Sequence, residues 1–472
     1  MIRLEYPQPK QWEALSAVPI VAGLYWLLAG SGLAWWFWAL VPGGLLLAAG
    51  VALLLTPGDP RICAMMALGA LLGVLFTIPA WVVADFGTAF LALLGSAASF
   101  QVAGRIGVVR EPRYEGAEPP ELSSRLDFKA GLDEALLGYF VMSASVPSGA
   151  KAEYMCDEAL RLEAALAERG WLDEPAGMHP APPPPEDVRI EQRSFQSHPY
   201  ELLRYDSGFA PDANLPGAAL WRSHTRNHQC AVRVLRHAGE PRPWLLCIHG
   251  YRMGTPLLDF SLFSPNWLHH KLGLNVVQPV LPLHGPRKIG LRTGDHYLDG
   301  DLLDLVYAES QALWDLRRTL AWIRSQDEEA RIGVLGFSLG GYNAALLANY
   351  EAGLDFVIAG IPVTDFASAL WRFMPPAHLR YVAARGLDEE RYRRILGVVS
   401  PLAGTPLVER ERLQIFAAAA DRVVLPSHPL MLSRHWDVPV SWYQGSHLSV
   451  RNEPETREAL NEALLRAGWP PR

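Results

Sequence analysis

Two patterns of apolar and polar positions divide this chain. From Ser16 to Thr56, and again from Ile62 to Gly104, there is no Lys, Arg or Glu, and the only acid is Asp85. From about residue 189 onward, short apolar runs alternate with longer amphipathic ones. The first pattern is continuous rather than periodic, and each block is about long enough to cross a bilayer twice. It predicts four membrane spans near 17–39, 42–56, 62–83 and 87–104, with turns at "VPGG", "TPGDPR" and "ADFG". A secretory signal peptide does not fit, because its apolar core runs about 7–15 residues whereas this sequence stays apolar to Gly104.

The basic residues agree with four spans. Arg3 and Lys10 precede the first, Arg61 lies between the second and third, and Arg105, Arg110 and Arg113 follow the fourth, while the other two turns carry no positive charge. Basic residues favour the cytoplasmic side, so both ends are expected there. Trp35, Trp36, Trp38 and Trp81 then fall near the opposite interface as an aromatic belt. Gly69 and Gly73 form a G-x-x-x-G pair, suited to a dimer face or, more simply, to close packing inside the bundle. Asp85 sits in a predicted turn and reads as a solvated loop residue.

The second pattern predicts a different architecture. The runs "AVRVLRH", "WLLCIHG", "NVVQPVLPLHG", "RIGVLGF", "DFVIAGIP", "LQIFAAAAD" and "PVSWYQGS" have strand character and alternate with helical stretches such as "DLLDLVYAESQALWDLRRTLAWIRSQ". Near-continuous apolar strands alternating with helices point to a doubly wound, mostly parallel sheet. Between the two patterns lie two helical stretches, "GLDEALLGYFVMSAS" and "KAEYMCDEALRLEAALAERG", and then "HPAPPPPED", whose prolines form an extended spacer. The expected domains are therefore a transmembrane helical domain over 1–104, a helical segment and Pro-rich linker over 105–188, and a catalytic domain over 189–472 with a helical cap near 366–410, in which Trp371, Phe373 and Met374 are available to line an acyl site.

Composition narrows the function classes. The 472 residues are 50% hydrophobic and the mean hydropathy is +0.07, high for a chain without membrane segments. A net charge of −7 gives no nucleic-acid signal. Cys63, Cys156, Cys230 and Cys247 have neither metal-ligand spacing nor a disulfide framework.

The candidate chemistry begins with "LGFSLGG". Gly336, Ser338 and Gly340 fit G-x-S-x-G on a strand-to-helix turn, where small flanking residues let a serine be held at a sharp elbow with its Oγ exposed. Functional groups in such sheets gather at the carboxyl ends of strands, and three of those ends carry what a serine nucleophile needs. "CIHGYRMG" supplies His249, Gly250 and Tyr251, with the Tyr251 N–H as an oxyanion donor beside that of Leu339. Asp421 follows the strand "LQIFAAAAD", and His447 follows the last strand. The order Ser, Asp, His is the one expected for this kind of sheet. Asp365 in "PVTDF" is the alternative acid, and His249 reads as a support of the oxyanion loop.

On "GFSLGG", "CIHGY", "AAAADRVV" and "GSH", in that order and on those elements, the chain resembles the α/β-hydrolase superfamily over roughly 190–472. "LPLHGPR" and "FSLGGYNAALLA" make it similar to a bacterial group of membrane-anchored α/β-hydrolase-domain proteins of poorly defined substrate. The resemblance implies an esterase-type mechanism with no metal or organic cofactor. His-Gly-Tyr replaces the His-Gly-Gly-Gly run of many lipases. "VLPLHG" stands where many soluble members have Asp-x-Arg-Gly-His-Gly, leaving His284 with Gly250 and His249 as pocket-lining or structural residues.

The resulting expectation is an α/β-hydrolase preceded by an all-α transmembrane bundle of about four helices. It is an integral protein of the bacterial inner membrane with a cytoplasmic catalytic domain, cleaving a lipid or other hydrophobic acyl ester through Ser338, His447 and Asp421. Its partners are that ester and the lipid bilayer, with no nucleic acid. A peptidase of the same fold and a catalytically idle binding module are the alternatives.

Overall fold

The computed structural model describes residues 12–469; Arg3 and Lys10, used above to orient the first span, lie outside the described residues. The chain forms two compact units. The first comprises Met1–Ser143 with Ala418–Ser427 and Trp442–Glu453, and the second comprises Ala144–Ala417 with His428–Ser441 and Pro454–Arg472.

The first unit is built on helices α1 (Trp12–Leu28), α2 (Leu33–Leu55), α3 (Arg61–Val83), α4 (Phe86–Arg110) and α5 (Ser124–Ser143). Of these, α2, α3 and α4 are long and apolar enough to cross a membrane, and the apolar part of α1, Ala14–Leu28, is shorter. Their outward faces are apolar too: Leu33, Phe37, Ile78 and Val82 are all more than two-thirds exposed. The indoles and a hydroxyl inside the bundle are paired, as a medium without water favours. Trp26 Nε1 donates to Ser96 Oγ at 2.9 Å, the Ser96 hydroxyl donates to Ala92 O, and Trp35 Nε1 donates to Trp26 O at 3.0 Å.

Three expectations for this region need correction. The chain does not turn at "VPGG": Pro42 lies inside α2, and the break comes earlier, at Gly32, whose φ of 85° only glycine adopts freely. In apolar surroundings each unpaired backbone group costs several kcal/mol, so a helix runs on through a proline that would end one in water. The fourth helix likewise continues past Gly104 to Arg110. Trp35 is not an interfacial residue; it is 1% exposed and stacks on Trp26 with ring centroids 5.6 Å apart. Trp36 and Trp81 are exposed. Asp85 caps α4, accepting from Thr88 N at 3.0 Å, and a Cβ added at Gly73 would strike the Ser96 hydroxyl, so this glycine serves packing within the bundle.

The second unit opens with α6 (Ala150–Glu168). The Pro-rich run after it is held by α9 (given below), whose Arg317 Nη1 donates to the carbonyls of His179 and Pro180, both at 3.0 Å. Next come β1 (Arg189–Phe195), β2 (His198–Asp206), α7 (Ala218–Ser223), β3 (Gln229–Leu235), β4 (Trp244–Ile248), α8 (Pro256–Leu262), β5 (Asn275–Pro279), α9 (Leu302–Gln326), β6 (Ile332–Phe337), α10 (Leu339–Ala348) and β7 (Phe356–Gly360). The helices α11 (Phe366–Phe373), α12 (Pro376–Ala384) and α13 (Glu389–Leu396) occupy the insert before β8 (Leu413–Ala418), followed by α14 (Ser427–Trp436), β9 (Val440–Tyr443) and α15 (Pro454–Arg466).

The nine strands form one sheet in the order β1-β2-β3-β5-β4-β6-β7-β8-β9. β1, β2 and β3 are antiparallel to their neighbours, and β5-β4-β6-β7-β8 are parallel. The central strands are buried throughout, which is why they read as continuous apolar runs. This is the α/β-hydrolase fold class. The β1–β2 hairpin had no such signal, because β1 is largely exposed; its two-residue turn, Gln196 (φ 46°) and Ser197 (φ 67°), has the positive pair a tight hairpin needs.

Gly73→Leu should therefore force α3 and α4 apart, an overpacking cost of about 1–3 kcal/mol, read as a lower thermal midpoint in detergent micelles. Gly44→Leu, where a Cβ meets nothing within 4 Å, should leave the midpoint unchanged.

Candidate active site

The elbow follows from the close crossing of strand and helix. Ser338 joins β6 to α10 with φ 59° and ψ −115°, outside the basins open to a serine at low cost. A Cβ on Gly336 would collide with the carbonyl oxygen of Gly340, and one on Gly340 with that of Ile248; both positions must be glycine. Ser338 N donates to Gly360 O at 2.9 Å, tying the turn to the end of β7. Leu339 and Gly340 begin α10, so their N–H groups have no acceptor within the helix.

The turn after β4 comes up beside this elbow. A Cβ at Gly250 would lie 3.6 Å from Ser338 Cβ, which brings the Gly250–Tyr251 backbone to this serine. His249 holds that turn. It is 1% exposed, its Nε2 accepts from Leu281 N at 3.1 Å, and its Nδ1 lies 2.8 Å from Gly250 O. Accepting at Nε2 fixes the proton on Nδ1, where it reaches the carbonyl. Burial lowers its pKa to about 3, so it stays a neutral strut. His284 is fully buried, its Nδ1 lies 2.9 Å from Pro282 O, and its ring lies edge-on to His249 and Tyr251 at 5.1 and 6.0 Å. It lines the same turn.

Asp421 and His447, the acid and base the sequence predicts, both belong to the first unit. Asp421, 3% exposed, accepts at Oδ1 from Val423 N (2.9 Å) and Val424 N (2.7 Å) and at Oδ2 faces His447 Nδ1 at 2.8 Å. Burial pulls the His447 pKa down; the charge and hydrogen bond of Asp421, with the charge of Asp133, outweigh it, and the imidazole titrates above its ordinary value. Asp365 is committed elsewhere. It caps α11 through Ala367 N at 3.0 Å and accepts from Arg393 Nε at 2.9 Å. In the insert, Trp371 packs edge-on to Tyr392 with centroids 5.2 Å apart, and Met374 is buried.

One site residue escaped the sequence. Asp133 of α5, fully buried, accepts at Oδ2 from His447 N (2.8 Å) and Arg422 N (3.1 Å) and at Oδ1 from Leu448 N (3.0 Å), with Ser446 Oγ at 2.9 Å. Its neighbour Glu134 accepts from Arg422 Nε at 2.8 Å, and Glu111 from Arg422 Nη1 at 2.7 Å. In sequence, "LDEALL" shows only a helix with acids, and nothing there sets Asp133 apart from its neighbours. Among the described residues no group of three or more His, Cys, Asp or Glu is placed to hold a metal ion.

No protein-family model matches the chain. The uncharacterized protein Rv2627c of Mycobacterium tuberculosis strain H37Rv is 41% identical over 302 residues, 64% of this chain and 72% of that protein. Its counterpart in strain CDC 1551, MT2702, matches at the same identity and coverage. Among solved structures, acetyl xylan esterase 1 from Thermoanaerobacterium sp. aligns at a TM-score of 0.43 and 14% identity, covering 64% of this chain and 93% of that one.

The geometry of the pair sets a titration. In an NMR experiment the His447 ring should titrate above 6.5, the ordinary value, and Asp421→Asn should bring it down by removing the larger of the two attracting charges. A His447 pKa unmoved by that substitution would contradict the pairing.

Proposed function

The chain belongs to the family of the Mycobacterium tuberculosis protein Rv2627c, and we propose on the geometry of its own residues that it is a membrane-anchored serine hydrolase acting on hydrophobic acyl esters. The observation that carries this reading is the backbone of Ser338. A non-glycine residue in such a conformation costs about 1–3 kcal/mol and persists where surrounding structure imposes it, typically at functional sites. An inert turn serine needs no such arrangement.

The chemistry assigns each group one role. His447 Nε2 takes the Ser338 Oγ proton as the oxygen bonds to the acyl carbon. Asp421 fixes the tautomer with the proton on Nδ1 and balances the imidazolium. The N–H groups of Leu339 and Tyr251 stabilise the oxyanion; loss of one such donor typically costs about 10²–10³ in rate. The imidazolium returns its proton to the departing alcohol, and a water molecule activated by the same imidazole releases the acid and frees Ser338.

A hydrophobic ester is favoured because the acid–base pair and the apolar helices α2–α4 share one compact unit. When those helices insert, the catalytic base is held at the bilayer with them. Arg61 and Arg105 lie at the ends of these helices as the only basic residues from Arg61 to Arg105, and this supports a cytoplasmic orientation in a bacterial inner membrane.

Fluorophosphonate should label the intact protein at Ser338, and Ser338→Ala should abolish both labelling and ester hydrolysis; labelling that survives would remove the nucleophile from this reading. Asp421→Asn should lower kcat by up to about 10⁴ through the wrong tautomer, and Asp365→Asn far less. Long-chain acyl esters presented in vesicles should be turned over faster than short soluble esters or peptides, and preference for a peptide would favour the peptidase. Protease added to spheroplasts should spare the 189–472 region, and protease added to inverted vesicles should cleave it.

A further inference from the structure

The residues that position a catalytic base are usually sought within its own domain. Here the loop carrying His447 is gripped by a helix from the other end of the chain, more than three hundred residues earlier. All four groups that meet the Asp133 carboxylate are donors: the N–H groups of Arg422, His447 and Leu448, and the Ser446 hydroxyl. Three of these are backbone groups that cannot turn around. An ionised carboxylate is acceptor-only and satisfies all four, whereas a carboxamide in the same place must point its NH₂ at one or more of them. Burial, then the neighbouring Asp421 charge, push the Asp133 pKa up to about 7; the ring of donors opposes this and suits the charged form.

The other side of α5 is seated on the membrane helices. A Cβ at Gly104 of α4 would collide with Asp127 O of α5, and one at Gly138 of α5 would lie 2.6 Å from Ala64 O of α3. Arg105 Nε donates to Asp127 at 2.9 Å. Val108, Leu126, Ala130 and Ala420 form a small buried cluster joining α4, α5 and the Asp421 loop. On its polar side, the Glu134–Arg422–Glu111 group ties the same helix to the residue after Asp421. One rigid helix therefore holds both the acid loop and the base loop.

We propose that Asp133 is the positioning residue of the catalytic base: from α5 it fixes the His447 backbone and adds a second negative charge beside the imidazole, which makes the helical unit a working part of the active site rather than an anchor. This deepens the serine-hydrolase reading and rests on it. The charged groups around the imidazole are Asp421 and Asp133; beyond them, Arg422 is paired with Glu134 and Glu111, and Lys129 with Glu453. Removing the Asp133 charge lowers the imidazole pKa, since an opposite charge is lost.

The test compares wild type with Asp133→Asn, Asp133→Ala and Asp133→Glu in full-length protein, using the rate of fluorophosphonate labelling across pH. The Asn and Ala variants should label about 10²-fold more slowly, the cost of a misplaced catalytic group. The acidic limb of the Asn profile should move to lower pH, a change that a merely structural role would not produce, and Glu should recover part of the rate. Wild-type rate and an unmoved limb in the Asn variant would overturn the proposal. If wild type itself is not labelled, the hydrolase reading fails, and the His447 NMR titration still decides whether Asp133 acts on the imidazole. A second measurement needs no variant. The amides of Arg422, His447 and Leu448 should exchange slowly with solvent in wild type, and rapid exchange there would overturn the grip whether or not the variants fold.

Discussion

The buried carboxylate of Asp133 is the interaction on which the arrangement of the Asp421 and His447 loops depends. Hydrogen bonds to a charged group contribute about 1.5–3 kcal/mol each, and burying that charge costs several kcal/mol, so the two roughly offset. What the arrangement supplies is geometry. Three backbone N–H groups from two separate loops converge on one side chain, so neither loop moves without leaving a buried donor unpaired. Asp421, with its own Oδ1 taken by Val423 N and Val424 N, then has a single free direction, toward the imidazole.

Ser338 is held by a different device. Its strain is local, set by the crossing of β6 and α10 and by the two glycines that permit it. It persists because the segments on either side are fixed: β6 lies between β4 and β7, and the Ser338 N–H is tied to Gly360 O. His249 completes the support with two backbone partners. Burial keeps it uncharged, so the turn it braces does not change with pH near neutrality.

The helical unit is apolar outside and internally hydrogen-bonded. Outside, α2–α4 present apolar side chains; inside, the indoles of Trp26 and Trp35 and the hydroxyl of Ser96 are all paired. Acidic and basic residues return at the end of α4 and on α5, where Arg105 meets Asp127 and where the polar residues that meet the Asp421 and His447 loops begin. α5 is thus apolar toward α3 and α4 and polar toward the loops, and a stretch with only a weak helical periodicity conveys neither assignment.

Much of this molecule was legible in its residues because the physics behind it is local. Burial on both faces makes a central strand a largely apolar run, and β4 through β8 read that way. An elbow needs glycine two residues before and two after its serine, since a Cβ at either place meets a backbone carbonyl, so Gly336, Ser338 and Gly340 announce it. Absence of charge over forty residues marks an apolar helix pair. Where the helices turn is less local: Pro42 and its two glycines look like a turn, and the helix nevertheless runs through them. The choice of partner for His447 was not local at all. Asp421 and Asp365 both follow strands, and what separates them is that Asp365 is spent on capping α11 and on Arg393. Asp133 had no signal of its own, since its meaning lies in three amides that only folding brings to it. The sequence determined the elements and the serine elbow; the tertiary structure decided which carboxylates meet His447, because a buried charge takes its role from the donors that surround it.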